Sequence, residues 1–333
     1  MSPRSTFALG LGGLAALAAL VLGVTKQIGV KSFGHPAGRV VRAGQDLCVL
    51  IETCDPYLPS LKGARESDMS YSYALWQIPE TGDGDIRTIR LEQGVSSNAR
   101  THNIGVQQYD SGILWLAIKD LQGVELASGK KTTKLAPASL VNAPISQLMG
   151  SSEPALEQFR AQSVTLASGD RLFLANDDEL QSSLKPGTRL YDNPDAKGSY
   201  KPRKLHTITS QPGPIARIAD VTRLSDREFR NGAFMRGSKG GAVVRFINPD
   251  GFLVVHDAGD PVHPTMHFSR LNLDGSVAWT IDTKIGRLIQ VLPHDSLPAF
   301  VGEPPQQLTE PMLAVVALKD GTVKTKSLKG PLN

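Results

Sequence analysis

The chain has 333 residues, 40% hydrophobic and 20% charged, a balance that excludes a disordered or collagen-like protein and allows one large or two medium domains. A formal charge of +4 is too small to imply a nucleic-acid partner, and two cysteines are too few for a structural zinc site. Aromatics are sparse at 6%, while 32 glycines and 22 prolines spread along the chain mean many turns and short elements.

The first predicted element is an apolar helix over residues 7–24, FALGLGGLAALAALVLGV, between Arg4 and Lys26. As an α-helix it rises about 27 Å, close to the thickness of a bilayer core. Two readings stand. A signal peptide would be cut after Gly23, with the small residues Val21 and Gly23 at the cleavage site. A single membrane anchor would keep the same run. Lys26, Lys31, Arg39 and Arg42 outnumber Arg4 and favour a cytoplasmic domain for a simple anchor, whereas a short charged start before a Leu/Ala run favours export. The expected layout is therefore a signal or anchor over 1–30 and a periplasmic domain over 31–330, with membrane contact only through the N-terminal segment. Gly10, Gly12 and Ala15 match the spacing of a dinucleotide fingerprint, but no strand precedes them.

Beyond residue 40 the apolar runs are five or six residues long and rich in Val, Ile, Phe and Trp. They fall at 47–52, 73–78, 113–118, 171–175, 242–247, 252–256 and 313–318, and they read as strands. Trp76, Trp115 and Trp279 each sit in a β run and are expected to be core. Cys48 and Cys54 lie in LCVLIETC; they form a disulfide if the chain turns between them, or remain small buried side chains if it does not. One helix is expected over 151–163, SSEPALEQFRAQS, with Ser152 as N-cap and Pro154 in the first turn. The segment 185–204 carries six basic residues and two acids, and it reads as a solvated, proline-rich loop.

Two segments carry residue types suited to chemistry. HDAGDPVHPTMH (256–267) holds His256, Asp257, Asp260, His263 and His267, ligand types for a transition metal. Pro261 and Pro264 exclude a helix there, so a metal would have to be held by a loop; the alternative is a polar connection after a strand. FMRGSKGGAV (234–243) offers Arg236, Ser238 and Lys239 with backbone amides as an anion cradle, or simply a turn between strands. Ser128–Lys131 and Ser182–Lys185 match S-x-x-K without its partner motifs, and neither G-x-S-x-G nor H-E-x-x-H occurs.

A strand–turn–strand unit recurs at 75–91, 116–129, 269–283 and 315–328, with Gly84, Gly123, Gly275 and Gly321 as turn glycines. The first two glycines are 39 residues apart and the last two 46. A propeller blade takes about 40–50 residues, which predicts an all-β fold: a β-propeller of about six or seven blades. The alternative is an irregular sandwich or two small β domains. LNLDGSVAWTIDT, with Leu271, Leu273, Asp274, Gly275 and Trp279, resembles the repeat of PQQ-like, quinoprotein-type β-propellers. The resemblance implies a propeller fold. It does not imply the quinone, because Cys48 and Cys54 are not adjacent as the cysteines of quinoprotein dehydrogenases are, so no cofactor is expected. Propellers of this type include exported scaffold proteins of the bacterial envelope, and some Gram-negative envelope proteins look similar. The expectation is an exported, non-enzymatic binding or scaffold protein whose partner is another envelope protein or a small ligand. A periplasmic hydrolase or lyase with its site on the loops is the alternative.

Overall fold

The computed structural model describes residues 33–55, 70–96, 99, 104–141, 160–166, 168–183, 202–211, 217–239, 242–245, 247–248, 251–306 and 310–331. The apolar segment 7–24 lies outside them; among the described residues no helix is long and apolar enough to cross a membrane.

Antiparallel β-structure dominates, and all seven apolar runs lie in or overlap strands. The first sheet holds β1 (Phe33–Pro36), β2 (Val41–Ala43), β3 (Asp46–Asp55), β4 (Ser70–Pro79) and β5 (Arg87–Ser96). The second holds β6 (Gly105–Asp110), β7 (Ile113–Ala117) and β8 (Leu121–Glu125), followed by the short helix α1 (Ala138–Val141). The third has ten strands: β9 (Arg160–Ala161), β10 (Ser163–Thr165), β11 (Arg171–Ala175), β12 (Pro202–Gln211), β13 (Arg217–Lys239), β14 (Ala242–Arg245), β15 (Ile247–Asn248), β16 (Gly251–Gly259), β17 (Pro264–Asn272) and β18 (Val277–Asp282). Helix α2 (Asp177–Ser183) follows β11. The fourth sheet holds β19 (Arg287–Leu292), β20 (Ala299–Glu303), β21 (Met312–Val316) and β22 (Val323–Ser327). Last, β23 (Gly330–Pro331) pairs back onto β1 through Phe33↔Pro331 and Gly34↔Gly330.

The third sheet folds over on itself. The first half of β13 pairs with β12 and its second half with β16, and the register slips between Arg230 and Ala233. Asn231 sits at that slip with a φ of 50°, a left-handed conformation that asparagine tolerates better than most residues. Leu172, Leu174 and Leu205 from one half thereby meet Phe234, Phe252 and Val254 from the other.

The described residues thus form four sheets, the third of them bent on itself. Each sheet buries apolar residues against a neighbour. Leu50 and Leu75 of the first sheet meet Leu114 and Leu116 of the second. Val49 and Trp76 on its opposite face meet Val301 and Val315 of the fourth. Val255 and Phe268 of the third sheet meet Phe300 and Ala314 of the fourth. Antiparallel sheets often keep one face wet; here the first sheet is dry on both, and Leu47, Cys48, Val49, Leu50 and Ile51 are all 0% exposed.

Glycines in several turns repeat one contact. Gly82 of the β4–β5 turn lies against Val315 and Lys324 of the fourth sheet. Gly321 of the β21–β22 turn lies under Trp279 of β18, and Gly275 of the β17–β18 turn lies against Leu224 and Leu205. Gly129, beyond β8, lies against Ile89 of β5. In the two turns Asp274–Gly275–Ser276 and Asp320–Gly321–Thr322 the aspartate accepts the amide two residues on, at 2.8 and 2.9 Å, and the glycine takes φ of 83° and 75°. These hydrogen bonds hold both carboxyls below their ordinary range: side-chain and backbone bonds from Ser276 at Asp274, led by the Thr322 amide at Asp320. All these turns share one end of the molecule, and β1 begins at the other.

Four sequence expectations change. Gly123 is not a turn glycine; it lies inside β8, where a Cβ would collide with Thr132 and Trp115. The helix expected over 151–163 does not extend to its end, because Arg160–Ala161 and Ser163–Thr165 are strands; 151–159 lie outside the described residues. Cys48 and Cys54 do not bond to one another. Both lie on the uninterrupted β3, and at about 3.3 Å per residue they stand roughly 20 Å apart. Burial, then the charge of Asp46, pushes the Cys48 thiol up to about 12, so it stays a protonated core side chain. Arg203, counted with the solvated basic loop, is buried in β12, while 184–201 lie outside the described residues. Trp76 and Trp115 are core, as expected; Trp279 is half-buried against the cluster of the third and fourth sheets.

The Gly321 contact predicts a measurable asymmetry. Gly321→Ala combines a left-handed backbone with a Cβ placed 2.7 Å from Trp279, whereas Gly94→Ala meets an equally left-handed backbone (φ 63°) with nothing within 4 Å. Gly94→Ala should cost about 1–2 kcal/mol, and Gly321→Ala about 1–3 kcal/mol more for the forced repacking, read as the shift in urea midpoint at constant slope.

Candidate functional site

The two segments singled out in the sequence form two arms of the third sheet. The hairpin β16–β17 pairs His256 directly with His267 and Gly259 with Pro264. Alternation along a strand then fixes which face each side chain takes. His256, His267 and Ser269 share a face with Thr280 and Asp282 of β18, since His267 pairs with Asp282 and Ser269 with Thr280.

On that face lies a hydrogen-bonded ladder. His256 Nε2 and Ser269 Oγ are 2.8 Å apart, Ser269 Oγ and Thr280 Oγ1 are 2.8 Å apart, and Arg227 Nη2 donates to Thr280 Oγ1 at 3.0 Å. The ladder runs from the exposed Arg227 and Thr280 inward to Ser269 and His256, which are 0% and 5% exposed. Phe229 caps the His256 ring edge-on with centroids 5.2 Å apart. His267 stands 5.8 Å from His256, ring to ring, and its Nε2 meets Thr265 Oγ1 at 3.2 Å and Asp282 Oδ1 at 3.7 Å.

Electrostatics follow from burial. Desolvation, then the neighbouring His267, lowers His256 to about 4. Desolvation also lowers His267, against the pull of Asp282. Burial raises Asp282, but the hydrogen bonds from Lys284 with the charges of His267 and Lys284 outweigh it and leave the group below its ordinary value. The ladder therefore holds a neutral imidazole whose partners are already supplied.

The expected metal set does not assemble. Asp257, next to His256 on the strand, faces the other way and accepts Asn231 Nδ2 at 2.7 Å. Asp260 caps the turn by accepting the Val262 amide at 2.9 Å, and His263 is exposed at the same turn. Among the described residues no three His, Cys, Asp or Glu groups stand close enough to hold a metal ion. Strand alternation is the reason: neighbours in sequence point to opposite faces.

Arg236, Ser238 and Lys239 of the expected anion cradle close β13, paired with Arg245, Val243 and Ala242 of β14; Gly240 and Gly241 between the two strands lie outside the described residues.

A further charged group lies at the bend of β13. Arg203 Nη2 and Nε donate to Glu179 Oε1 and Oε2 at 2.8 and 3.0 Å, and Nη1 donates to the Gly232 carbonyl at 2.9 Å. Glu179 also accepts the Asn176 amide at 3.0 Å, while Asn176 Oδ1 accepts the Glu179 amide at 2.9 Å. Asn-Asp-Asp-Glu (176–179) is thus a reciprocal cap at the start of α2, a signal present in the sequence. The pair ties α2 to β12 and to the bend of β13.

No family model matches the chain, and no curated protein does. Among solved structures the chain is similar to RS223-Beta-xylosidase, over 88% of this chain and 95% of that one, at 9% identity and a TM-score of 0.25. A likeness that low carries no argument about fold or activity.

Two outcomes follow. Arg203→Ala removes the guanidinium that neutralises Glu179 and should cost about 3–5 kcal/mol, with Glu179→Gln milder at about 1–3 kcal/mol, both by denaturant titration. For His256 the unfolded ring, near 6.5, takes up a proton before the folded ring, near 4. The unfolded state binds more protons between those values, so the stability held by the neutral ring is complete above about 6.5 and is lost as pH falls towards 4. Folding free energy measured from pH 7 to pH 4 should decline. His256→Gln should lower it at pH 7 and make the decline shallower, with His206 and His267, also lowered, supplying the remaining slope.

Proposed function

We propose that this protein is an exported β-propeller that acts as a binding or scaffold module of the bacterial envelope. The four sheets, the third bent on itself, are read as blades. One observation carries the reading: the turn glycines dock in one rotational sense. The second sheet's Gly129 sits on the first, the first sheet's Gly82 on the fourth, the fourth sheet's Gly321 on the third, and the third sheet's Gly275 on its own first half. A head-to-tail order of this kind closes into a ring when the rotation permits.

Edge contacts fit a common axis. Gln290 of β19 exchanges two hydrogen bonds with the Val40 backbone, at 3.0 and 2.8 Å, and Arg39 donates to the Gln107 carbonyl of β6 at 2.9 Å. The β1–β2 connection thus meets the opening strands of the fourth and second sheets, a convergence that supports a shared axis. The quinoprotein-type repeat resemblance at 271–283 agrees with this arrangement. Binding rather than catalysis is favoured by the ladder, where His256 is spent on Ser269 and the other candidate groups fall on two faces and a turn.

The test has two arms. Alkaline phosphatase fused after residue 60 should be active in intact Gram-negative cells; an inactive fusion overturns export. Purified domain 31–333 should form reproducible, stoichiometric cross-links with one envelope component. Turnover of model esters or glycosides that survives repurification, with no adduct formed, overturns the binding reading in favour of a hydrolase.

A further inference from the structure

The β12–β13 ladder is interrupted beside the His256 ladder. Arg203 pairs with Phe229 and Leu205 with Ser225, so Asp226, Arg227 and Glu228 bulge outward opposite Lys204 alone, and all three are exposed. Residues in a bulge are left out of the ladder, so side chains decide where this one rests. Asp226 is matched by Arg223 at 3.3 Å and Glu228 by Lys204 at 3.7 Å. Arg227 reaches across instead. Its guanidinium lies 5.7 Å from the centre of the Phe229 ring and donates to Thr280 Oγ1 of β18 at 3.0 Å.

The hydrogen bonds behind that contact have a direction. Arginine only donates, and each hydroxyl carries one hydrogen. The Asp257 backbone accepts a hydrogen bond from the His256 ring, which leaves Nε2 of the neutral ring as an acceptor. Ser269 therefore donates to His256, Thr280 to Ser269 and Arg227 to Thr280. A proton on Nε2 reverses the chain and sets a cation behind the guanidinium. The charges acting on the two rings are Arg227 and Arg230 of β13, Asp257 of β16, Asp282 of β18 and Lys284 beyond it. Three cations thus face two carboxylates before either ring is charged, and Asn231 and Lys284 already engage those carboxylates. The fourth sheet lies across the other face, against Val255 and Phe268.

We propose that the His256–His267 pair is an acid-sensitive latch: with both rings neutral it seats the Arg227 bulge of β13 on β18, and protonation unseats the bulge while the sheets stay folded. An opened ring titrates near 6.5 and the seated His256 near 4, so acid favours the open bulge by up to about 300-fold. The latch is independent of the propeller and export readings.

The full chain is purified in mild detergent in a Cys54→Ser background, and spin labels are placed by Asp226→Cys and Ala278→Cys. From about pH 7 to about pH 4 the distance between them should lengthen and broaden reversibly while near-ultraviolet circular dichroism stays native. His256→Gln, neutral throughout, should abolish the response. Thr280→Val, which cuts the chain, should separate the labels already at neutral pH. Labels that stay together as both histidines titrate by NMR overturn the latch. So does an equal response in His256→Gln, or separation only when the near-ultraviolet signal is lost.

Discussion

A sheet that is apolar on both faces has to be covered on both, and this requirement organises the molecule. In β3 the odd residues Leu47, Val49 and Ile51 join the cluster shared with the fourth sheet, while the even residues Cys48 and Leu50 join the cluster shared with the second. Burying each large side chain contributes about 1.5–3 kcal/mol, so neither face of the first sheet can be left to water. The same condition applies to β16 and β17, where Leu253, Val255 and Phe268 face the fourth sheet and Phe252 and Val254 face the folded-over half of their own sheet. Layers stacked on this principle need two neighbours each.

Glycine sets how closely the layers approach. At Gly82 and Gly321 the facing side chains come within 2.7 Å of where a Cβ would stand. Only a residue without one permits that approach, and only a residue tolerant of positive φ forms these turns. One residue type thus serves turn geometry and layer spacing together, and a polar ladder occupies the part of the β16–β18 face that apolar packing leaves unfilled.

Much of this was legible from local pattern. The apolar runs announced the strands, and Asp274–Gly275 and Asp320–Gly321 announced their turns. Reading failed wherever the answer depended on which strand lies beside which. His256 and His267 were visible as histidines, but their pairing, and the arrival of Ser269, Thr280 and Arg227 from other strands or registers, is set by hairpin register. Gly123 was misread because a strand glycine packed under Trp115 has the same local sequence signature as a turn glycine. The cysteines were separated by the straightness of β3, which no feature of LCVLIETC declares.

The pairing of β1 with β23 joins residue 33 to residue 331, with Trp76 lying over Gly330. During synthesis the edge of the first sheet therefore stays open until Gly330 and Pro331 have left the ribosome, almost 300 residues after Phe33. Until then Trp76 and that edge are open to other chains, so the growing polypeptide needs chaperoning throughout that interval.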